Sequence, residues 1–93
     1  MNKFNYNYAF IFYDVASARC NKLFKICKKY LSHYQYSIFK GAISPSNLLK
    51  IRKEINNVIE GDDFVCIIKM KGAYMFEEEI IKKNYQEKPD FII

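Results

Sequence analysis

One carboxylate near the start of the chain stands where it could do chemistry. Asp14 closes the run Ala9-Phe10-Ile11-Phe12-Tyr13-Asp14-Val15, an apolar, aromatic strand pattern. A carboxylate resists burial without a partner or a metal, so at the end of such a strand it reaches solvent while rigid backbone fixes its position. Two structural duties compete for it: capping the helix that follows, which aspartate does well, and pairing with Arg19. Arg19, about one turn into that helix, has an alternative of its own, because a guanidinium can grip a phosphate bidentately. Lys22, Lys25 and Lys29 share one helical face, with Lys28 to one side, and the helix carries no acid to pair with them. Such a stripe is either a solvated surface or a track for phosphates.

Other chemistry is thin. His33 is the one histidine and sits at the far end of the helix from Asp14, which suits a structural role better than a general base. Cys20, Cys27 and Cys66 are odd in number, form no CxxC pair and lie in apolar patterns. They read as reduced thiols of a cytoplasmic protein and not as a zinc site.

The elements that must hold Asp14 can be placed from periodicity. A strand is expected from about Tyr8 to Asp14. A helix from Ala18 to about His33 follows, with Ser17 as N-cap and Cys20, Leu23, Phe24, Cys27, Tyr30 and Leu31 on its apolar face. Residues 34–43 alternate, with Tyr34, Tyr36, Ile38 and Lys40 projecting one way and Gln35, Ser37, Phe39 and Gly41 the other. Ser44-Pro45 starts a second helix running to Glu60, with Leu48, Ile51, Ile55, Val58 and Ile59 inward and Gly61 closing it. Phe64 to Ile68 is nearly continuous in apolar residues, the pattern of a strand inside a sheet. The order fits an α+β sandwich of the ferredoxin-like β-α-β-β-α-β kind, an antiparallel sheet with two helices on one face. That fold needs a hairpin between its helices, so residues 34–43 must bend or serve as both strands. Beyond Met70, a charged stretch from Glu77 to Lys83 is compatible with a helix, and Phe91-Ile92-Ile93 is an apolar patch.

Size and composition bound the rest. The 93 residues make one domain, 1–93, since a second core would not fit. The chain is 51% hydrophobic with 8 Phe and 8 Tyr, which excludes a disordered tail and suggests that a second copy covers part of the aromatic surface. No run approaches the ~18 apolar residues of a membrane span, so no membrane association is expected. Met1 to Asn7 lacks the pattern of a signal peptide. The net charge of +5 says little alone; its distribution matters more.

Several of these residues carry a resemblance. Tyr13-Asp14-Val15, then Arg19 with Asn21-Lys22, then Lys25-Ile26-Cys27-Lys28-Lys29-Tyr30-Leu31, then Gln35-x-Ser37-Ile38-Phe39-x-Gly41, and more loosely Asp63-Phe64-Val65, resemble the CRISPR-associated protein 2 family in order and spacing. The likeness covers about the first two thirds of the chain well. It implies a ferredoxin-like homodimer acting in spacer acquisition, with Asp14 as a Mg²⁺ (or Mn²⁺) ligand. One carboxylate is a poor metal site, but a two-fold axis would bring a second Asp14 near, so that a shared metal activates water and neutralises charge on a phosphodiester. Hydrolysis of RNA or DNA should then need metal and rise with pH. The alternative is a non-catalytic dimer bridging copies of the CRISPR integrase subunit (CRISPR-associated protein 1) and gripping duplex DNA through basic faces.

The resemblance also assigns supporting residues. Phe39 packs, Ser37 sits near the metal or the interface, Gln35 could hydrogen-bond across the dimer, and Tyr13 is a core or interface ring. Residues 71–93 could add a strand to the partner's sheet through Phe91-Ile92-Ile93, or a peripheral strand to their own. The family usually has an acid where Lys40 stands, so the role of that acid is in doubt here. A small RNA-binding domain of RNP type is suggested by alternating Phe10 and Phe12, but the basic consensus of its longer motif is missing. A ribonuclease toxin of the same fold is the nearer competitor, against which Gln35-x-Ser37-Ile38-Phe39 speaks.

Overall fold

The computed structural model describes residues 6–72 and 77–81. Its elements are β1 (Tyr8–Asp14), α1 (Ser17–Tyr30), β2 (Ser32–Gln35), β3 (Ile38–Ala42), α2 (Pro45–Asn56) and β4 (Phe64–Met70). They build one four-stranded sheet in the order β2-β3-β1-β4, antiparallel throughout.

Alternation along β1 sorts the molecule into layers. Ala9, Ile11 and Tyr13 turn to one face and are buried, while Tyr8, Phe10 and Phe12 turn to the other and are only half covered. The buried face meets Leu23, Ile26 and Cys27 of α1 and Leu48, Ile51 and Ile55 of α2, with Phe39 from β3. The α2 start follows its sequence signal: the Ser44 hydroxyl accepts the Asn47 N–H at 3.1 Å, and Pro45 occupies the first turn. Lys29 reaches across to Glu54 at 2.5 Å, and the Tyr30 hydroxyl donates to the same carboxylate. These bonds, Lys29 first, lower the pKa of Glu54 from its ordinary value.

The fold corrects four expectations. First, α1 ends at Tyr30 and not near His33, because Leu31 turns extended (φ −134°, ψ 170°) and Ser32 and His33 join β2. That shift supplies the missing strand, and residues 34–43 therefore bend: Tyr36, at φ 46°, makes the turn between β2 and β3. The expected even alternation through this stretch is interrupted there. Second, α1 has Ala16 as N-cap, with no side-chain cap from Ser17. Third, α2 stops at Asn56, where Asn57 caps it, and Gly61 (φ 53°) belongs to the turn beyond. Fourth, β4 is an edge strand among the described residues. Its one strand neighbour among the described residues is β1, and its apolar run serves both faces: Val65 and Ile67 pack against the core while Phe64 and Ile68, 55% and 47% exposed, sit on the opposite face. Phe91-Ile92-Ile93 lies outside the described residues.

Candidate metal and nucleic-acid site

Asp14 lies at the end of β1, opposite Phe64 in register, and is exposed on the sheet face that the helices leave open. Backbone pins it on both sides. The Tyr13 N–H donates to the Ser37 carbonyl at 3.2 Å, and the Ala16 N–H donates to Asp63 Oδ1 at 3.0 Å. Neither structural duty open to Asp14 is taken up. The helix has no side-chain cap, and Arg19 pairs elsewhere. Among the described residues, the Asp14 carboxylate makes no ion pair or side-chain hydrogen bond.

Arg19 is held by Asp63, a residue that sequence reasoning touched only as part of a loose likeness. Its Nε and Nη2 donate to the two Asp63 oxygens at 2.5 and 3.1 Å, and Nη1 lies 3.4 Å from Glu60. Asp63 also accepts the Glu60 N–H at 3.0 Å, so a carboxylate only 4% exposed has its oxygens fully engaged. The Arg19 hydrogen bonds hold its carboxyl well below the usual carboxylate range, against the opposing effect of burial. A carboxylate with a depressed pKa adds stability above its unfolded value, near 3.8, and loses it as pH falls through the lower folded value. Asp63→Asn should therefore lower Tm by roughly 5–15 °C at pH 7. It should also flatten the acid limb of the stability–pH curve, which thermal melts between about pH 7 and pH 3 would show. Equal melts for wild type and variant across that range would refute the clasp.

The lysine stripe divides. Lys29 is committed to Glu54, whereas Lys22, Lys25 and Lys28 are exposed and have no ion pair among the described residues. Asp14 is the sole acid before Glu54 in the chain, so α1 carries no acid of its own beside these lysines.

Tyr13 and the residues of the Gln35-x-Ser37-Ile38-Phe39 run differ in burial. Tyr13 is buried and stacks on Phe39 with ring centroids 6.3 Å apart. Burial above all pushes its phenol up to about 12, with a smaller opposing effect from a hydrogen bond with Ser37, so it stays protonated at neutral pH. Phe39 is fully buried, with Phe24 at 5.2 Å and His33 at 4.9 Å between centroids. His33 Nε2 donates to the Tyr36 carbonyl at 2.8 Å. Gln35 is exposed at the end of β2, and Ser37 lies in the turn against β1.

Lys40 is on the open face, where its Nζ is 4.4 Å from the Tyr34 ring centroid and 2.6 Å from Glu78. An acid thus returns to the neighbourhood from elsewhere in the chain. Burial lowers the pKa of Lys40 and raises that of Glu78, pushing both toward their neutral forms. Sequence spacing could not announce this pair or the Arg19–Asp63 pair, whose partners stand 38 and 44 residues apart.

Among the described residues, no three His, Cys, Asp or Glu side chains gather closely enough to hold a metal ion. The Asp14 carboxylate by itself offers a metal at most two oxygens of the six that Mg²⁺ takes, and it lies uncommitted on the open sheet face. A ferredoxin-like domain with a free acid at the end of an interior strand is the class these features define.

The comparisons with known proteins are specific. The family model for CRISPR associated protein Cas2 matches residues 7–78. A protein named CRISPR-associated endoribonuclease Cas2 3, from Thermodesulfovibrio yellowstonii, is 43% identical over 75 residues, which is 80% of this chain and 85% of the relative. A Cas2 endoribonuclease of Nanoarchaeum equitans is 34% identical over 74 residues, 80% of this chain and 81% of that one. Among solved structures, a Cas2 crystal structure superimposes with a TM-score of 0.80 at 27% identity, covering 89% of this chain and 97% of the other. Cas2 of Streptococcus pyogenes shares the fold, with a TM-score of 0.71 at 18% identity over 81% of this chain and 99% of that one. The chain belongs to the Cas2 family of CRISPR-associated proteins.

Proposed function

We propose that this chain acts as a cytoplasmic homodimer in CRISPR spacer acquisition, as a Mg²⁺- or Mn²⁺-dependent endonuclease on RNA or DNA with Asp14 as metal ligand. The observation that carries the reading is the uncommitted Asp14 carboxylate, held on rigid backbone while Asp63, the acid bonded to the start of α1, is spent on Arg19. Its relatives' printed name, endoribonuclease, agrees.

The open face supports the dimer. Phe12 and Phe64 pack there at 6.4 Å between centroids, with Ile68 exposed alongside, and among the described residues β4 has a strand neighbour on one side only. A second copy placed about a two-fold axis would cover these rings and bring two Asp14 residues together. The partner's residues 71–93 could then extend the sheet at β4.

The chemistry supplied by a bound Mg²⁺ is charge neutralisation and Lewis acidity at the scissile phosphodiester. The protein's own part is to hold the two carboxylates and to place the strand along positive charge. Tyr13 keeps its proton and His33 is spent on the Tyr36 carbonyl, so neither serves as general base. Lys22, Lys25 and Lys28 offer phosphate contacts, while Arg19 serves the clasp first.

One observation favours a second reading: three lysines on α1 with no ion pair among the described residues suit duplex binding whether or not Asp14 does chemistry. In that reading the dimer bridges copies of the integrase subunit. Cleavage of labelled single-stranded RNA and duplex DNA in Mg²⁺ or EDTA, alongside sedimentation, tests the proposal. We expect a dimer that cuts only with metal, and faster as pH rises. A folded dimer that binds duplex DNA and the integrase subunit but cuts neither substrate would overturn the nuclease and establish the scaffold.

A further inference from the structure

We infer that the cleft beside the β2–β3 turn seats one unpaired nucleobase of a single-stranded nucleic acid, stacked on Tyr36. The inference rests on the nucleic-acid reading above and narrows its substrate to strands with unpaired bases. Tyr36 takes φ 46° at the tip of the hairpin, a left-handed conformation that is costly for an aromatic residue, and it is 82% exposed. Its backbone is tied on both sides. His33 donates to its carbonyl at 2.8 Å, and the Tyr13 N–H holds the carbonyl of Ser37. The backbone that carries the ring is thereby fixed, so binding has only the side-chain rotamer left to order.

Beside the ring opens a cleft of about 380 Å³, with Phe24 as a second aromatic wall and Ser17, Asn21 and Ser37 at its edge. Aromatic walls receive the face of a base, and an amide with two hydroxyls can hydrogen-bond its edge. The phosphates have a place too. Lys25 stands one turn beyond Asn21 on the same face of α1, with Lys22 and Lys28 beside it, all exposed and unpaired among the described residues. Paired bases in a duplex are stacked on each other and reach such a cleft only by flipping out, so the seat selects single strands.

The test uses a short RNA carrying 2-aminopurine, whose emission is quenched by stacking, bound to the full chain in EDTA so that no strand is cut. Wild type should quench the probe. Tyr36→Gly accepts the positive φ without strain, so it should fold with an unchanged or higher Tm, yet lose the quench and bind the RNA about tenfold more weakly. Tyr36→Phe should keep both, and the loss should be confined to single strands. A Tyr36→Gly protein that binds and quenches like wild type overturns the seat and leaves the rest of the functional reading intact. A wild-type protein that binds neither single strands nor duplex overturns the seat together with the nucleic-acid reading. Quenching without metal-dependent cleavage keeps the seat and removes the nuclease.

Discussion

Asp14→Asn should lower metal-dependent cleavage by roughly two to three orders of magnitude, the size of loss that follows removal of one preorganised electrostatic group from a reacting centre. The substitution keeps shape and removes charge. Because Asp14 is exposed and has no side-chain partner among the described residues, stability should change by no more than about 0.5 kcal/mol. Loss of rate without loss of fold separates a functional acid from a structural one. A metal shared between two copies adds a sharper consequence. In dimers formed from equal amounts of wild type and variant, about a quarter would hold both acids, so activity should fall below half of wild type. Rate measurements on the mixed sample, with thermal melts as control, decide the matter. An Asp14→Asn protein as active as wild type would remove Asp14 from the chemistry altogether.

Phe39→Ala should destabilise the domain by about 3–5 kcal/mol, as truncation of a fully buried phenylalanine does. Domains of this length have roughly 5–14 kcal/mol in hand, so the variant would keep little or none of its margin. Phe39 is where both layers meet: Tyr13 stacks beside it, Phe24 arrives from α1 and His33 from β2. The cavity would open directly behind the strand that carries Asp14. Phe39→Leu preserves most of the volume and should cost less than about 1.5 kcal/mol. Urea melts followed by circular dichroism provide the measurement. A cost below about 1 kcal/mol for Phe39→Ala would mean that the core is packed differently from this description.

What was legible in the sequence was local. Ser44-Pro45 marks the α2 start because a cap and a proline act within one turn. The inward faces of both helices follow from a period of 3.6, and Asp14 stands out because a charge ends an apolar alternation. The misread features depend on partners far away in the chain. Ser32 and His33 leave the helical pattern because β3 offers a strand pairing with Lys40 and Phe39, which periodicity within α1 does not reveal. Tyr36 makes a left-handed turn without glycine or asparagine to signal it. The Lys22–Lys25–Lys29 stripe looked uniform because Glu54 lies on another helix. Continuous apolarity in β4 reports two apolar faces, one against the core and one on the open side, and is silent on whether the strand has one neighbour or two.

The position of β1 between β3 and β4 has a consequence for how the site can be lost. Proteins open piecemeal, and amide protons in fraying segments exchange with solvent long before those of interior strands. Here the acid closes a strand paired on both flanks, and the amides at positions 13 and 16 are bonded to Ser37 and Asp63. Asp14 itself is paired only with Phe64 of β4, since the β3 register ends at Phe12, so its backbone stays fixed as long as that end of the β1–β4 ladder and the two amide bonds hold. The lifetime of the site is therefore set by the end of that ladder, where fraying of β4 at Phe64 is the opening that loosens the acid.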